Sequence, residues 1–375
     1  MRVLIAVGHG GIYSGGSHQP LYQIAGLKAA GIDVAAVWGP DLEGDPHGFD
    51  RLKALDIPIS IIPIDRKPTL ASLRTFRRIL TDYKPDVVEC FKSGAQYHAL
   101  YAGMGLQSHA LVFYRGISRP MDVFQGWKYR LSRVDRVIAN CDALKRVMAA
   151  TGRVPEDKID VVYGEYDPAC GNPAAVNANG LRKELGIVED VVLFTQLGNW
   201  ASWRGQEVTV RAAAELKERE RRFHVLFAGR ETEKMAPMTE ELGLQGSVTL
   251  SPYRRDPERI LKITDVAINA STANESLSGA LINAQAMGVP AVASNLSGSP
   301  EIVEDGITGF LVPVGDILAL ANAMEQFIQM PDEERRKMGR AARERALTLF
   351  SSRSRTERRL DTYRKAVEHR RCARA

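Results

Sequence analysis

Hydrophobic residues along this chain come in short, nearly unbroken runs separated by longer amphipathic stretches. In the first half the runs are RVLIAV, DVAAVWG, PDVVECF, ALVFYRG and RVIANC. In the second half they are DVVLFTQLG, FHVLFAG, SVTLSPY, DVAINAS, PAVASN and GFLVPV. Runs without polar alternation predict strands buried on both faces, hence parallel sheets covered by helices. LYQIAGLKAAG, after the first run, reads as a helix closed by Gly31. Leu73, Phe76, Leu80 and Tyr83 at helical spacing predict another over residues 70–83. The Pro-, Gly-, Asn- and Ala-rich stretch from Tyr166 to Gly180 reads as the linker between the halves. The expected fold class is α/β, with two Rossmann-like, doubly wound parallel-sheet domains facing across a cleft. Ligands in such sheets bind outside the carboxyl ends of the strands. The expected domains are residues 1–168, residues 169–350, and a basic C-terminal helix, 351–375, that packs back on the first domain.

Length agrees with this division, because 375 residues exceed the usual size of one core. An apolar content of 45% with 25% charged residues is ordinary globular composition. Cys90, Cys141, Cys170 and Cys372 form no CxxC pair and stand near no histidine cluster, which predicts a reduced cytosolic protein without a zinc site. The first apolar run is too short for a secretory segment, and no stretch approaches the roughly 18 apolar residues that span a bilayer. The expected location is the cytoplasm, with any membrane contact peripheral and at the inner face.

The net charge of +5 hides an asymmetry. Residues 335–375 carry 15 Lys/Arg against 4 Asp/Glu, a net of +11, which leaves −6 for the rest. Such an end suits an anionic membrane face or nucleic acid, or is a solvated helix. Phe350 and Tyr363 are too sparse for stacking on single-stranded nucleic acid, so no nucleic-acid partner is expected. Arg74, Arg77 and Arg78, beside the apolar positions of the 70–83 helix, add a second element that would meet an anionic leaflet.

Three segments carry candidate chemistry. GHGGIYSGGS (Gly8 to Ser17) follows the first strand and opens a helix, where glycines let amides approach a phosphate or sugar; a plain turn is the alternative. Tyr13 takes the third glycine position of the dinucleotide fingerprint, so that motif is incomplete. QLGNWASWRGQE (Gln196 to Glu207) places Arg204 at a strand-to-helix turn, suited to neutralising a diphosphate. In NESLSGALINAQAMGVP, Ser276, Ser278 and Gly279 crowd a helix start, and Glu275 stands where hydroxyls would donate to it. Asn283 is eight residues beyond Glu275, about 12 Å if the span is helical. The alternative makes Glu275 a dipole partner and Asn283 a surface residue. No two aspartates stand two residues apart, so a metal-free site is expected, with charge supplied by Arg204 and helix amides.

Taken with VIANCDALKRVM, VVYGEYDP, LGNWASWRG and the long C-terminal run from DVAINASTANES to ITGFLVPVGD, these residues resemble glycosyltransferase family 4, retaining enzymes of the two-Rossmann GT-B fold. The resemblance implies that Glu275 lies near the donor sugar and that the amides of Leu277, Ser278 and Gly279 hold sugar and diphosphate. It places Arg204 at the family's lysine position and Asn199 at its arginine position, with Arg230 and Arg254 on adjacent loops to compensate. Asn283 replaces the acid that binds the ribose, and Arg115 replaces a histidine of the sugar site. Tyr13, Gly15, Gly16 and Arg115 fall on the acceptor side. The implied activity is transfer of a sugar from a nucleoside diphosphate sugar to a hydroxyl of a glycan or lipid-linked acceptor, with retention and without cofactor. A nucleotide-sugar epimerase of the same fold and a non-catalytic sugar- or partner-binding member are the alternatives, with a dehydrogenase more distant.

Overall fold

The computed structural model of the protein describes residues 1–8, 15–40, 46–64, 67–106, 108–219 and 222–373. The chain divides into two compact units, Met1–Glu165 with Ser352–Ala375, and Tyr166–Ser351.

The strands of the first unit are β1 (Arg2–Val7), β2 (Asp33–Trp38), β3 (Ile59–Ile61), β4 (Val87–Phe91), β5 (Ala110–Arg115), β6 (Arg136–Ala139) and β7 (Ile159–Val161). All pair in parallel, in the order β3-β2-β1-β4-β5-β6-β7. Its helices are α1 (Gly15–Ala29), α2 (Pro46–Lys53), α3 (Leu70–Tyr83), α4 (Lys92–Ala102), α5 (Val123–Arg130) and α6 (Asp142–Gly152). The second unit repeats the plan. Its strands are β8 (Val192–Leu197), β9 (Phe223–Ala228), β10 (Val248–Ser251), β11 (Val266–Asn269), β12 (Ala291–Ser294) and β13 (Gly309–Val312). Their order is β10-β9-β8-β11-β12-β13, again all parallel. The helices between are α7 (Leu181–Glu184), α8 (Gln206–Lys217), α9 (Ala236–Glu241), α10 (Pro257–Ile263), α11 (Gly279–Ala286) and α12 (Ser299–Ile302). Three more follow the last strand: α13 (Ile317–Gln329), α14 (Asp332–Leu349) and α15 (Ser352–Cys372), which belongs to the first unit.

Both sheets reverse their strand order at one place, between β1 and β4 and between β8 and β11. Loops on either side of such a reversal splay apart and leave a crevice at the carboxyl ends of the strands. The apolar runs read from the sequence are the five central strands of the first sheet and all six strands of the second. Short, half-buried β3 and β7 lie at the edges, where three residues give too little hydrophobic pattern to read.

Two expectations about surface charge need correction. α3 starts at a capping box, in which Thr69 and Ser72 satisfy each other's amides, and ends at left-handed Lys84. Its apolar positions Phe76 and Leu80 are buried, and Ser72 Oγ lies 2.9 Å from His98 Nε2 of α4. The face expected to meet a leaflet is therefore packed inside the first unit. The basic C-terminal helix is also partly internal. In α15, Arg355, Arg359, Tyr363, Ala366 and Arg370 are buried at spacings of three or four. Arg359 Nη1 is 3.3 Å from Glu89 Oε1, in the middle of β4, and Arg355 Nη1 is 3.4 Å from Glu165. Arg370 is 2.9 Å from Asp135. The Tyr363 hydroxyl donates to Glu89, and the Arg359 guanidinium lies over the rings of Phe91 and Tyr114, at 5.6 and 5.4 Å. Three cations of the tail thus neutralise acids of the first unit.

Removing one member of a buried ion pair strands the other charge. Glu89→Leu is expected to cost about 3–5 kcal/mol in a denaturant titration, and Glu89→Leu with Arg359→Met to recover most of it. In the second unit, His224 of β9 is 2% exposed, with Nε2 2.8 Å from Thr249 Oγ1. Burial lowers its pKa from 6.5 to about 4. The unfolded chain therefore takes up this proton first as pH falls below 6.5, and stability drops until about pH 4. The expected loss is about 3 kcal/mol, and His224→Gln should remove that part of the pH dependence.

Candidate functional site

The two loops flanking the β8/β11 reversal carry Asn199, Arg204, Glu275, Leu277 and Ser278 of the candidate donor residues. After β8 the chain turns through Gly198–Gly205 before α8. This loop is tied from below: Gln196 Nε2 donates to the Arg204 carbonyl at 2.9 Å, and Gln206 Nε2 to the Asn199 carbonyl at 3.2 Å. Thr209 Oγ1 donates to Gln196 Oε1 at 2.7 Å, fixing the amide that holds Arg204. Gly205 has φ +68°, and a Cβ there would lie 1.8 Å from the Ala270 carbonyl oxygen, just past β11. Only glycine lets the loop lean so closely on the neighbouring strand end. The Thr272 amide completes the contact, donating to the Trp203 carbonyl at 2.8 Å.

That contact brings Arg204 to Glu275. The Arg204 guanidinium sits 4.5 Å over the Trp203 ring, and its Nη1 is 3.8 Å from Glu275 Oε2. Glu275 is 8% exposed. Asn269 Nδ2 (3.3 Å) and Ser271 Oγ (3.1 Å) donate to Oε2, and the Ser276 amide donates to Oε1 at 3.4 Å. The carboxylate is thus locked by donors from its own segment, while Arg204 remains about a third exposed. Sequence reading missed the support that Asn269 and Ser271 give Glu275, and the stacking of Arg204 on Trp203. The polar cluster in NASTANES, directly after a buried strand, was the available signal for the first two.

The helix starts later than the sequence spacing suggested. Asn274 is left-handed, with φ +54°, and α11 begins at Gly279, capped by Ser278, whose side chain accepts from the Leu281 amide. Glu275 therefore stands in an irregular segment ahead of the helix, and the 12 Å estimate for eight helical residues does not apply. A Cβ on Gly279 would meet nothing within 4 Å, so the helix start faces open space beside Leu277 and Ser278. Its first amides, as at any helix start, lack intrahelical acceptors.

The remaining candidates are placed as follows. Asn283 Oδ1 accepts from the Asp167 amide at 2.8 Å. Asn199 Oδ1 accepts from the Arg230 amide at 3.0 Å, so it staples two loops together, and the Arg230 guanidinium lies 5.2 Å over Tyr253. Arg254 is engaged on three nitrogens, by Asp256 through Nε and Nη2 and by Glu184 through Nη1. Those bonds raise its pKa and lower that of Asp256. In the first unit, Arg115 ends β5 and donates to the Arg119 carbonyl at 2.8 Å, while its Nε is buried without a partner among the described residues. Gly15 and Gly16 open α1, and Tyr13 lies outside the described residues. Among the described residues no group of three His, Cys, Asp or Glu is placed to hold a metal ion.

Residues 178–345 match the family described as Glycosyl transferases group 1, and residues 13–169 match Glycosyltransferase Family 4. The chain belongs to the group 1 glycosyltransferases of the GT-B fold. EpsD of Bacillus subtilis, a protein named as a candidate glycosyltransferase, is 25% identical to this glycosyltransferase over 334 residues, 82% of this chain and 85% of that one. A D-inositol 3-phosphate glycosyltransferase of Mycobacterium marinum is 30% identical over 251 residues, 63% of this chain; the match spans about half (51%) of the relative. The fold of this glycosyltransferase is shared with a solved glycosyltransferase from Rickettsia africae, at a TM-score of 0.87 and 20% identity, covering 98% and 99% of the two chains. It is shared also with Anabaena Alr3699/HepE, solved in complex with UDP, at 0.80 and 20%, covering 96% and 99%.

Proposed function

We propose that this glycosyltransferase moves a sugar from a nucleoside diphosphate sugar to an acceptor hydroxyl with retention at the anomeric carbon, and without a metal ion. The observation that carries the reading is the Arg204–Glu275 pair, assembled from the two loops that flank the strand-order reversal. A diphosphate entering that crevice meets Arg204 and the first amides of α11, which stabilise the charge that grows as the glycosidic C–O bond to phosphate breaks. Glu275, held by Asn269 and Ser271, accepts hydrogen bonds from hydroxyls of the donor sugar and fixes its orientation. Asn283, whose Oδ1 is engaged, offers Nδ2 to a ribose hydroxyl. Leu277, Ser278 and Gly279 line the sugar and diphosphate through their backbone, and Arg230 supports the diphosphate from the loop after β9.

In this reading the second unit takes the nucleotide sugar, and the candidate residues for the acceptor, a glycan or lipid-linked sugar, are Tyr13, Gly15 and Gly16 at the start of α1, and Arg115, all in the first unit. The acceptor oxygen bonds to the anomeric carbon on the face the diphosphate leaves, and the departing phosphate oxygen takes the hydroxyl proton. An epimerase of the same fold would use the same donor crevice but would need no acceptor.

Arg204→Ala should lower kcat by about 100- to 1,000-fold, the usual cost of removing one donor from a developing oxyanion. Glu275→Gln should lower kcat comparably for sugar transfer, with nucleoside diphosphate binding nearly unchanged. Product NMR should show the donor's anomeric configuration, and EDTA should leave the rate unaffected. Full activity in Arg204→Ala, an inverted product, or sugar isomerisation without acceptor would each refute this assignment.

A further inference from the structure

The first unit has its own strand-order reversal, between β1 and β4, and the chain beside it is free of acids. Residues 90–121 hold no Asp or Glu, in a chain that has 45. That stretch runs from the end of β4 through α4 to the end of β5 and beyond. Phe91 pairs with Tyr114 in the sheet, so Lys92 and Arg115, the next residues, stand side by side at its carboxyl edge. Gly8, just past β1, presses on the same place: a Cβ there would lie 3.4 Å from Lys92 Cβ and 3.3 Å from the Ala95 amide nitrogen. Lys92 is exposed and left-handed, with φ +66°, a strained backbone of the kind retained where a position serves a ligand.

Arg115 is half-buried and lacks a counter-charge. Its Nη2 donates to the Arg119 carbonyl, its buried Nε has no partner, and no carboxylate pairs with it among the described residues. The acids that flank the stretch are engaged elsewhere. Glu89 takes Arg359 and the Tyr363 hydroxyl, Asp122 caps the Gln125 amide at 2.6 Å, and Asp142 accepts from the Tyr163 hydroxyl at 3.4 Å. The fully buried arginines of this unit, Arg355, Arg359 and Arg370, each stand within hydrogen-bond or ion-pair reach of an acid. Buried Lys128, bonded to Ser93 Oγ at 3.0 Å, adds to the positive potential behind the strand ends. A guanidinium drawn partly out of water without an acid is costly, and an anion from outside the chain would offset that cost.

We propose that Arg115 and Lys92 form an anion subsite, and that the acceptor is a sugar carrying a phosphate or carboxylate group. The inference rests on the reading that the first unit takes the acceptor. Arg115 supplies a charge-assisted donor to an oxygen of the anionic group, and Lys92 supplies a second cation from the neighbouring strand end. Anchoring the acceptor by its charge fixes which hydroxyl is presented for transfer. A neutral acceptor would leave the Arg115 cation unpaired.

The test is calorimetric titration of the full chain with glucose 6-phosphate, glucuronate and glucose, and separately with UDP, GDP and ADP. The wild type should bind one of the two anionic sugars at least about tenfold more tightly than glucose, and the tighter one names the group. Arg115→Gln keeps a donor but no charge, and should lose about tenfold in that binding. Lys92→Glu, at an exposed position, sets an acid against the anion and should weaken it further. Because no ion pair is lost, Arg115→Gln should melt no lower than the wild type, which an arginine kept only for structure would not allow. Binding of neither anionic sugar, or equal binding by Arg115→Gln and the wild type, would overturn the subsite. The nucleotides test the underlying reading separately. If a nucleoside diphosphate binds and the anionic sugars do not, only the subsite fails; if the anionic sugars bind through Arg115 and no nucleoside diphosphate binds, the subsite stands and the donor reading fails.

Discussion

No side chain fits between Gly205 and the carbonyl of Ala270, and the candidate donor site depends on that approach. β8 and β11 are neighbours in the sheet but distant in sequence, and their following loops would diverge if nothing held them together. The Gly205 contact and the Thr272–Trp203 hydrogen bond bind one loop to the other strand end. Arg204, one residue before the glycine, is then delivered to Glu275, six residues past the end of β11. In the proposed reading, this acid and cation at the reversal of a doubly wound sheet neutralise a leaving diphosphate while orienting the sugar attached to it. The chemistry follows from the strand order, because only at the reversal do two loops part enough to admit a ligand.

The fold was largely legible because parallel strands buried on both faces read as unbroken apolar runs, and their alternation with helices leaves few topologies. The α3 boundaries were legible for the same kind of reason, from Leu73, Phe76 and Leu80 at helical spacing. The same spacing was misleading about exposure. Arginines beside an apolar stripe suggested a surface element, whereas α4 covers that stripe. α15 hid its inner face more completely. Its buried positions recur correctly, but they hold Arg355, Arg359 and Arg370, residue types that periodicity counts as polar. The clue was in the strand instead: Glu89 in the middle of VVECF is an acid in a two-sided core, and such an acid requires a buried cation.

At the site, residue types were more legible than geometry. The pairing of Arg204 with Glu275 needed the strand order, which no local pattern reports. The start of α11 at Gly279 depended on left-handed Asn274, and the support of Glu275 by Asn269 and Ser271 depended on that irregular segment. Substituted positions acquire physical roles in the structure. Asn199 joins two loops through its side-chain oxygen, which an arginine would not do, and Asn283 accepts from the Asp167 amide. Arg254 is held by two carboxylates, so the positive charge beside Glu275 rests chiefly on Arg204.

That concentration of charge gives the most direct test of the account. Nucleoside diphosphates differing in base would be titrated calorimetrically, in EDTA, into the wild type, Arg204→Ala and Arg211→Ala, an exposed arginine on α8 that serves as a charge control. The account predicts that one diphosphate binds the wild type and Arg211→Ala alike, and binds Arg204→Ala at least about tenfold more weakly, the loss expected from one charge-assisted contact. Equal binding by Arg204→Ala and the wild type, or no binding of any nucleoside diphosphate, would contradict it.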